Sequence, residues 1–288
     1  MPNKNHFKED YIMGLRINNN ITAYTAHRNL AATDSQLTKS IGKLSSGLRI
    51  NNAKDDVAGL QIANQFRAQV RGLRMAQQNA SQATSMLQQA EGAMNQIEGI
   101  LERLKELAVS AASDNTDQAG KDALHSEASQ LLNEINRIAL DTKYNTGELI
   151  DGTASTMTFQ IGSENSASAQ IKVDLGSINF TTGSLGVATI ALNSTEGAQS
   201  ALTTITDAIT EAGKGLGDVG AVQSRLEYAA SNLAISIENI SASESTIRDA
   251  DMAYEMVTFT KNQIMVQAGT AMLAQANMAP QNILSLFG

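Results

Sequence analysis

Apolar residues recur in a 3/4 alternation at Leu73, Ala76, Ala80, Ala83, Leu87, Ala90, Met94, Ile97, Leu101, Leu104, Ala108 and Ala111. Steps of three and four sum to a heptad, so the stripe stays on one side of a helix and predicts a long helix with one buried seam. Its small Ala knobs predict closely packed partners. After the turn-like Ser113-Asp114-Asn115, the positions Leu124, Ala128, Leu131, Ile135 and Ile138 keep helical spacing. They predict a helix of about 20 residues folding back on the first.

From Asp151 the period changes to two. Met157, Phe159 and Ile161 alternate, as do Ile171, Val173 and Leu175, with a polar loop between them. Two short strands forming a hairpin are predicted. Helical spacing resumes at Asn193, read as an N-cap with Glu196 as its capping-box partner. One seam then runs through Ala198, Leu202, Ile205, Ile209, Ala212, Leu216, Val219, Val222, Leu226, Ala229 and Leu233, continued by Ile240 and Ile247. Near Ser243 to Glu255 the phase slips, because the next heptad set is Met252, Phe259, Val266 and Leu273. A slip of this kind predicts a joint between two packing units.

The beginning of the chain carries a matching pattern in Ile17, Ile21 and Tyr24, then Leu30, Leu37, Ile41, Leu44 and Leu48. The two ends are therefore expected to pair as helices. The segment Asn262 to Gly288 has no charged side chain while mixing Met, Leu and Ile with Gln and Asn. Such a helix is expected to bury itself against protein. The whole pattern predicts a mainly α fold: a long antiparallel helical bundle or coiled coil with a small β-hairpin region in the middle of the chain.

Composition sharpens this. Six Phe, five Tyr and no Trp cannot fill a thick core, which favours a thin bundle. Proline occurs only at 2 and 280, so long helices are permitted between them. A net charge of -8 without a Lys/Arg cluster argues against a phosphate-backbone binder. Zero cysteines excludes disulfides and thiolate metal sites. The first twelve residues lack the apolar run of a secretory signal, and no stretch approaches a membrane span of about 20 apolar residues. The expectation is a soluble chain, or one exported without a cleaved signal.

No catalytic constellation emerges. Gly215-Leu-Gly-Asp-Val-Gly220 fits a dinucleotide fingerprint, but that loop must follow a strand. Here it lies inside a helical seam and is read as close helix packing or a local kink. His6, His27 and His125 stand apart without metal-ligand spacing, and no Ser or Asp has a base and orienting group in pattern. No catalytic residue, cofactor or metal is assigned. Asn20, Asn79, Asn179, Asn193 and Asn239 open N-x-[ST] sequons, read as chance matches.

The ends also carry recognisable motifs. Met13-Gly-Leu-Arg-Ile-Asn-Asn-Asn20, Ala26-His-Arg-Asn-Leu30, Leu44-Ser-Ser-Gly-Leu-Arg-Ile-Asn51, Asp55-Asp-Val-Ala-Gly-Leu60, Glu91-Gly-Ala93 and Glu106-Leu-Ala-Val109 resemble the amino-terminal region of bacterial flagellins. Gly220-Ala-Val-Gln-Ser-Arg-Leu226, Glu244-Ser-Thr-Ile-Arg-Asp249, Ala271-Met-Leu-Ala-Gln-Ala-Asn277 and Leu284-Ser-Leu-Phe-Gly288 resemble the family's carboxy-terminal region. The resemblance implies a filament subunit of short form, lacking the outer variable domains and exported unfolded through the flagellar type III apparatus. Residues 13–53 and 250–288 become a discontinuous terminal helical domain that forms the filament core. Residues 54–150 and 193–249 become the helices of a rod domain, and 151–192 the hairpin and short variable region. Residues 1–12 precede the usual flagellin start and are read as an atypical extension, either a misassigned start, which is favoured, or a true extension, which intact mass on native filaments would decide.

The terminal assembly helices are assigned through Ile17, Ile21, Leu37, Ile41, Leu44, Met252, Phe259, Val266 and Leu273. Off the first seam, Ile100, Arg103 and Leu107 at i, i+3 and i+7 predict a second contact face. By resemblance Arg103, Leu107 and Glu127 also match the patch bound by the flagellin-sensing Toll-like receptor. Further partners implied are other copies of the chain, the filament cap, the hook-filament junction protein and an export chaperone on the C-terminal segment. Outer Ser and Thr between 163 and 184 are the expected place for O-glycosylation. The nearest alternative is the junction protein itself, which shares both termini. A secreted adhesin fits less well because the short middle region leaves no separate binding domain.

Overall fold

The computed structural model describes residues 19–154 and 156–287, with side chains through residue 278 and at 281. In chain order the elements are α1 (Ile21–Ser46), α2 (Val57–Ala112), α3 (Gln118–Asp141), β1 (Lys143–Tyr144), β2 (Gly147–Glu148), β3 (Met157–Gln160), a 3-10 turn at Ala167–Ala169, β4 (Gln170–Val173), α4 (Thr195–Arg248) and α5 (Met252–Phe287). The chain divides into two compact units, Phe66–Ala242 and the discontinuous Met1–Gln65 with Ser243–Gly288. The division near Ser243 falls where the heptad phase slips. Ile17 and residues 1–12 lie outside the described residues, as does the structure of Gly288.

In the unit Phe66–Ala242, all twelve seam positions from Leu73 to Ala111 are buried. The facing seam of α4 buries Ile205, Ala212, Val219, Leu226 and Leu233, each seven residues from the last. The two helices run antiparallel. Leu73 packs with Leu233, the Gln223 amide donates to Glu91 at 2.8 Å, and Gly215 faces Met94. Helix α3, capped by Asp117 whose carboxylate accepts from the Gly120 amide at 2.9 Å, adds Ala128, Ile135 and Ala139 to the same core.

The predicted hairpin forms, with β3 and β4 antiparallel and Phe159 opposite Ile171. A second ribbon, β1 with β2, was not legible in two residues per strand; it turns at Asn145, whose φ of 56° places it in the left-handed region that Asn tolerates. From Leu175 to Leu192 the chain has almost no regular structure, yet Leu175, Ile178, Phe180, Leu185, Val187, Ile190 and Leu192 are buried. Side chains of α3 hold its backbone. Asn136 accepts from the amide and hydroxyl of Thr182 at 3.0 Å each, and the His125 Nδ1 accepts from the Leu192 amide at 3.3 Å.

Two expectations are corrected or narrowed at α4. Its cap is Ser194, not Asn193: the helix begins at Thr195, and the Ser194 hydroxyl accepts from the Gly197 amide at 3.2 Å. The Asn193 carbonyl instead accepts from Gln118 at 2.9 Å. The glycine-rich run lies inside an unbroken helix, and a Cβ on Gly215 would come within 2.9 Å of the Phe180 ring. Gly217 and Gly220 have open space, so close packing accounts for Gly215 alone.

Asp151 is a buried carboxylate at the base of the hairpin. Burial pushes its pKa up, but hydrogen bonds from the Thr153 hydroxyl and the Thr153 amide outweigh it and hold the pKa below the ordinary Asp value. A depressed folded pKa contributes stability above the unfolded value that is lost as pH falls through the folded one. Asp151→Asn is therefore expected to flatten the acid limb of the stability curve below about pH 4, read by urea denaturation at stepped pH. An unchanged acid limb would contradict the assignment.

In the second unit, α1 and α5 run antiparallel, because Asn20 donates to the Ala276 carbonyl at 2.7 Å and Lys43 pairs with Glu255 at 3.7 Å. Gly47 ends α1 in the left-handed conformation at φ 70°, where its amide donates to the Lys43 carbonyl. The chain then pairs with the α4–α5 joint: the Arg49 amide donates to the Arg248 carbonyl at 2.7 Å and the Ala250 amide to the Gly47 carbonyl at 2.9 Å. The Asp55-Asp56 pair has divided labour. Asp55 accepts from the Asn51 and Asn52 amides, and Asp56 caps α2 by accepting from the Gly59 amide at 2.9 Å. Asp251 caps α5 through the Ala253 and Tyr254 amides.

Candidate assembly surface

The α1/α5 pair inverts the usual order of burial. Among the described residues of α1 only Ser40 is fully buried, and on α5 only Glu255 and Asn262. The buried positions are polar, while apolar side chains stand on the outside. Leu37, Leu44, Phe259, Val266 and Leu273 are half-buried on the seam. Ile21, Ile41 and Met252 are exposed, as are Tyr24, Val257, Ile264 and Met272. The seam uses heptad positions such as Ala23, Leu30, Leu37 and Leu44 on α1 and Phe259, Val266 and Leu273 on α5. Ile21 and Ile41 lie off that stripe and remain exposed despite their apolar character. Ile17 lies outside the described residues.

A groove of about 450 Å³ runs beside the seam, walled by Ile21, Thr25 and Leu30 of α1 and by Met265, Ala268 and Met272 of α5. Its floor depends on close approach of the two helices. A Cβ on Gly269 would lie 3.0 Å from Leu30 Cδ1, so Leu30 seats on a position with no side chain. Gly269→Leu should force the helices apart although Leu is the better helix former by about 1 kcal/mol. The expected outcome is a critical concentration for polymerisation raised at least about tenfold with helicity unchanged or higher, measured by sedimentation and circular dichroism. Unaltered polymerisation would show that this approach is not needed.

The second candidate face lies in the other unit. Arg103 is exposed and donates to one oxygen of Glu127, Oε1, from both Nε at 3.1 Å and Nη2 at 2.9 Å, while Nη1 reaches Glu106 at 2.8 Å. Hydrogen bonds to Glu106 and Glu127 raise the pKa of Arg103 beyond its ordinary value. Ile100 is half-buried against the core. The expectation for Leu107 is corrected: it is 3% exposed and belongs to the core that contains Ala128 and Ile135. Met86, Ala93, Ile100 and Leu107, spaced by seven, form a second track beside the seam. A helix packed by one partner needs a narrow stripe, whereas one packed by two needs the wider arc.

Among the described residues, terminal helices that leave apolar side chains such as Ile21, Ile264 and Met272 exposed fit the class of subunits that assemble through their helical ends. Comparison with known proteins gives the family. The bacterial flagellin N-terminal helical region matches residues 17–155 and the flagellin C-terminal helical region matches residues 202–287. The flagellin of Halalkalibacterium halodurans is 42% identical over 270 residues, covering 94% of this chain and 98% of its own. That of Bacillus subtilis is 40% identical over 304 residues, covering 94% and 99%. A flagellar filament 33 kDa core protein of Treponema phagedenis is 38% identical, covering 94% and 99%. Among solved structures, Bacillus cereus flagellin matches with a TM-score of 0.48 and 27% identity over 54% of this chain and 88% of that one. This chain belongs to the flagellin family and is a structural subunit of the bacterial flagellar filament, which serves motility.

Proposed function

We propose that the chain leaves the cell unfolded through the flagellar type III apparatus and adds to the filament, where α1 and α5 complete their packing against other copies. The observation that carries this reading is the inverted burial of the α1/α5 pair, with Ser40, Glu255 and Asn262 inside and Ile21, Ile264 and Met272 outside. In this reading residues 13–53 and 250–288 make the filament core, 54–150 and 193–249 the surrounding helices, and 151–192 the short variable region. The protein acts as a scaffold with no catalytic step. An export chaperone would cover the uncharged C-terminal segment before assembly. The filament cap and the hook-filament junction protein would meet the same terminal helices in place of another copy.

A second surface follows from the Arg103–Glu127 pair, exposed on both sides and stiffened by Glu106. It offers a forked donor and a carboxylate beside Ile100 to a neighbouring copy or to the flagellin-sensing Toll-like receptor, without Leu107. The test of the main reading has two arms. In a strain lacking the export apparatus, the chain should remain in the cell and the medium should contain none of it. Purified protein incubated with filament seeds should lengthen them in negative-stain images. Secretion that persists in that strain would overturn the export route, and seeds that never lengthen would overturn the assembly role.

A further inference from the structure

Helix α5 carries Met252, Met256, Met265, Met272 and Met278, five of the chain's 11 methionines, and all five are exposed. In the other unit Met86 and Met94 are 2% and 0% exposed, while Met75 is exposed. Met265 and Met272, one heptad apart, share a wall of the groove facing Ile21 and Leu30 and are 50% and 64% exposed. A thioether suits an irregular apolar contact because it is flexible and polarisable. It is also the apolar group that peroxides convert to a polar sulfoxide.

We propose that Met265 and Met272 form an oxidation-sensitive site whose conversion to sulfoxides by a peroxide, in the unassembled chain, stops the α1/α5 surface from receiving a second copy. This rests on the assembly role assigned above to α1 and α5. The step balances with the peroxide alone. A sulfur lone pair attacks one peroxide oxygen, the S–O bond forms as the O–O bond breaks, and the departing oxygen takes up the proton and leaves as water. Sulfur is oxidised by two electrons and the peroxide is reduced by two. Each product places a strong hydrogen-bond acceptor on an apolar wall, where covering it without a donor is unfavourable. Once a second copy covers the groove, peroxide no longer reaches the sulfur, so sensitivity is confined to the period before addition.

The experiment exposes the purified full chain to hydrogen peroxide, follows each methionine by peptide mass spectrometry, and measures elongation of untreated filament seeds. Elongation should fall at least about tenfold as Met265 and Met272 become sulfoxides, with Met86 and Met94 still thioethers. The same two residues should oxidise at least about tenfold more slowly in intact filaments. The double variant Met265→Leu, Met272→Leu, which conserves volume, should keep at least about half of its own untreated elongation rate after the same exposure. Wild type that carries both sulfoxides and elongates at the untreated rate would overturn the proposal. So would a double variant that loses as much as wild type. If the double variant cannot elongate even untreated, methionine sulfoxide reductase decides: recovery in step with loss of the two sulfoxides supports the site, and no recovery refutes it. Failure of untreated wild type to elongate seeds is a separate outcome that removes the assembly role itself and this site with it.

Discussion

Deletion of Asn262–Gly288 is expected to abolish filament formation while leaving the unit Phe66–Ala242 folded. The cut removes Val266, Gly269, Leu273 and Ala276 from the α1/α5 seam and with them the partner of Leu30. Ordering a helix costs about 1 to 2 kcal/mol of backbone entropy per residue, and a fully buried Leu-sized side chain returns about 1.5 to 3 kcal/mol. Even intact, α1 has 26 residues with Ser40 its single fully buried side chain among those described. The pair is therefore poorly supported within one chain and needs further copies to cover Ile21, Ile264 and Met272. Without residues 262–288 no such cover can form. Electron microscopy after seeding should show no lengthening at any workable concentration, while circular dichroism retains the signal of α2, α3 and α4. Long filaments from the truncated chain would end the argument that the terminal helices drive assembly.

Periodicity made the long elements legible. The seam from Leu73 to Ala111 is legible residue by residue because every third or fourth position is apolar for 39 residues. The slip between Ile247 and Met252 was visible for the same reason, and Asp251 supplies its physical cause by capping a new helix there. Where burial does not follow a period, the sequence was mute. The segment from Leu175 to Leu192 buries seven apolar side chains through irregular backbone held by Asn136 and His125. None of those contacts has a spacing rule. Leu107 is a different kind of miss. Met86, Ala93, Ile100 and Leu107 do repeat by seven, but a track beside a seam signals either a second core partner or an outer contact face, and only the position of α3 decides between them. At the candidate assembly surface, the heptad of Phe259, Val266 and Leu273 was readable. The polar residues at its buried centre were not, because Ser40 and Asn262 look like solvent positions by composition.

The placement of Leu107 yields the second large effect. Leu104→Asp and Leu107→Asp should each unfold the helices of the unit Phe66–Ala242 in the isolated chain, whereas Arg103→Ala should leave them intact. Leu104 is fully buried and Leu107 is 3% exposed, in one core with Ile135 and Ile205. Removing a buried leucine costs about 2 to 5 kcal/mol, and an unpaired carboxylate in its place adds a desolvation penalty or a forced protonation. The sum consumes most of the roughly 5 to 15 kcal/mol that keeps a domain folded. Arg103 differs although it lies between them in sequence. Its guanidinium and both its carboxylate partners are about half exposed or more, so water replaces the lost hydrogen bonds. Far-UV circular dichroism and thermal melts of the three variants provide the comparison. Collapse of the helical signal in both Leu variants, with an Arg103→Ala melt matching the parent, is the expected pattern. A Leu107→Asp chain that melts like the parent would return Leu107 to the outer face and leave the second heptad track without a core partner.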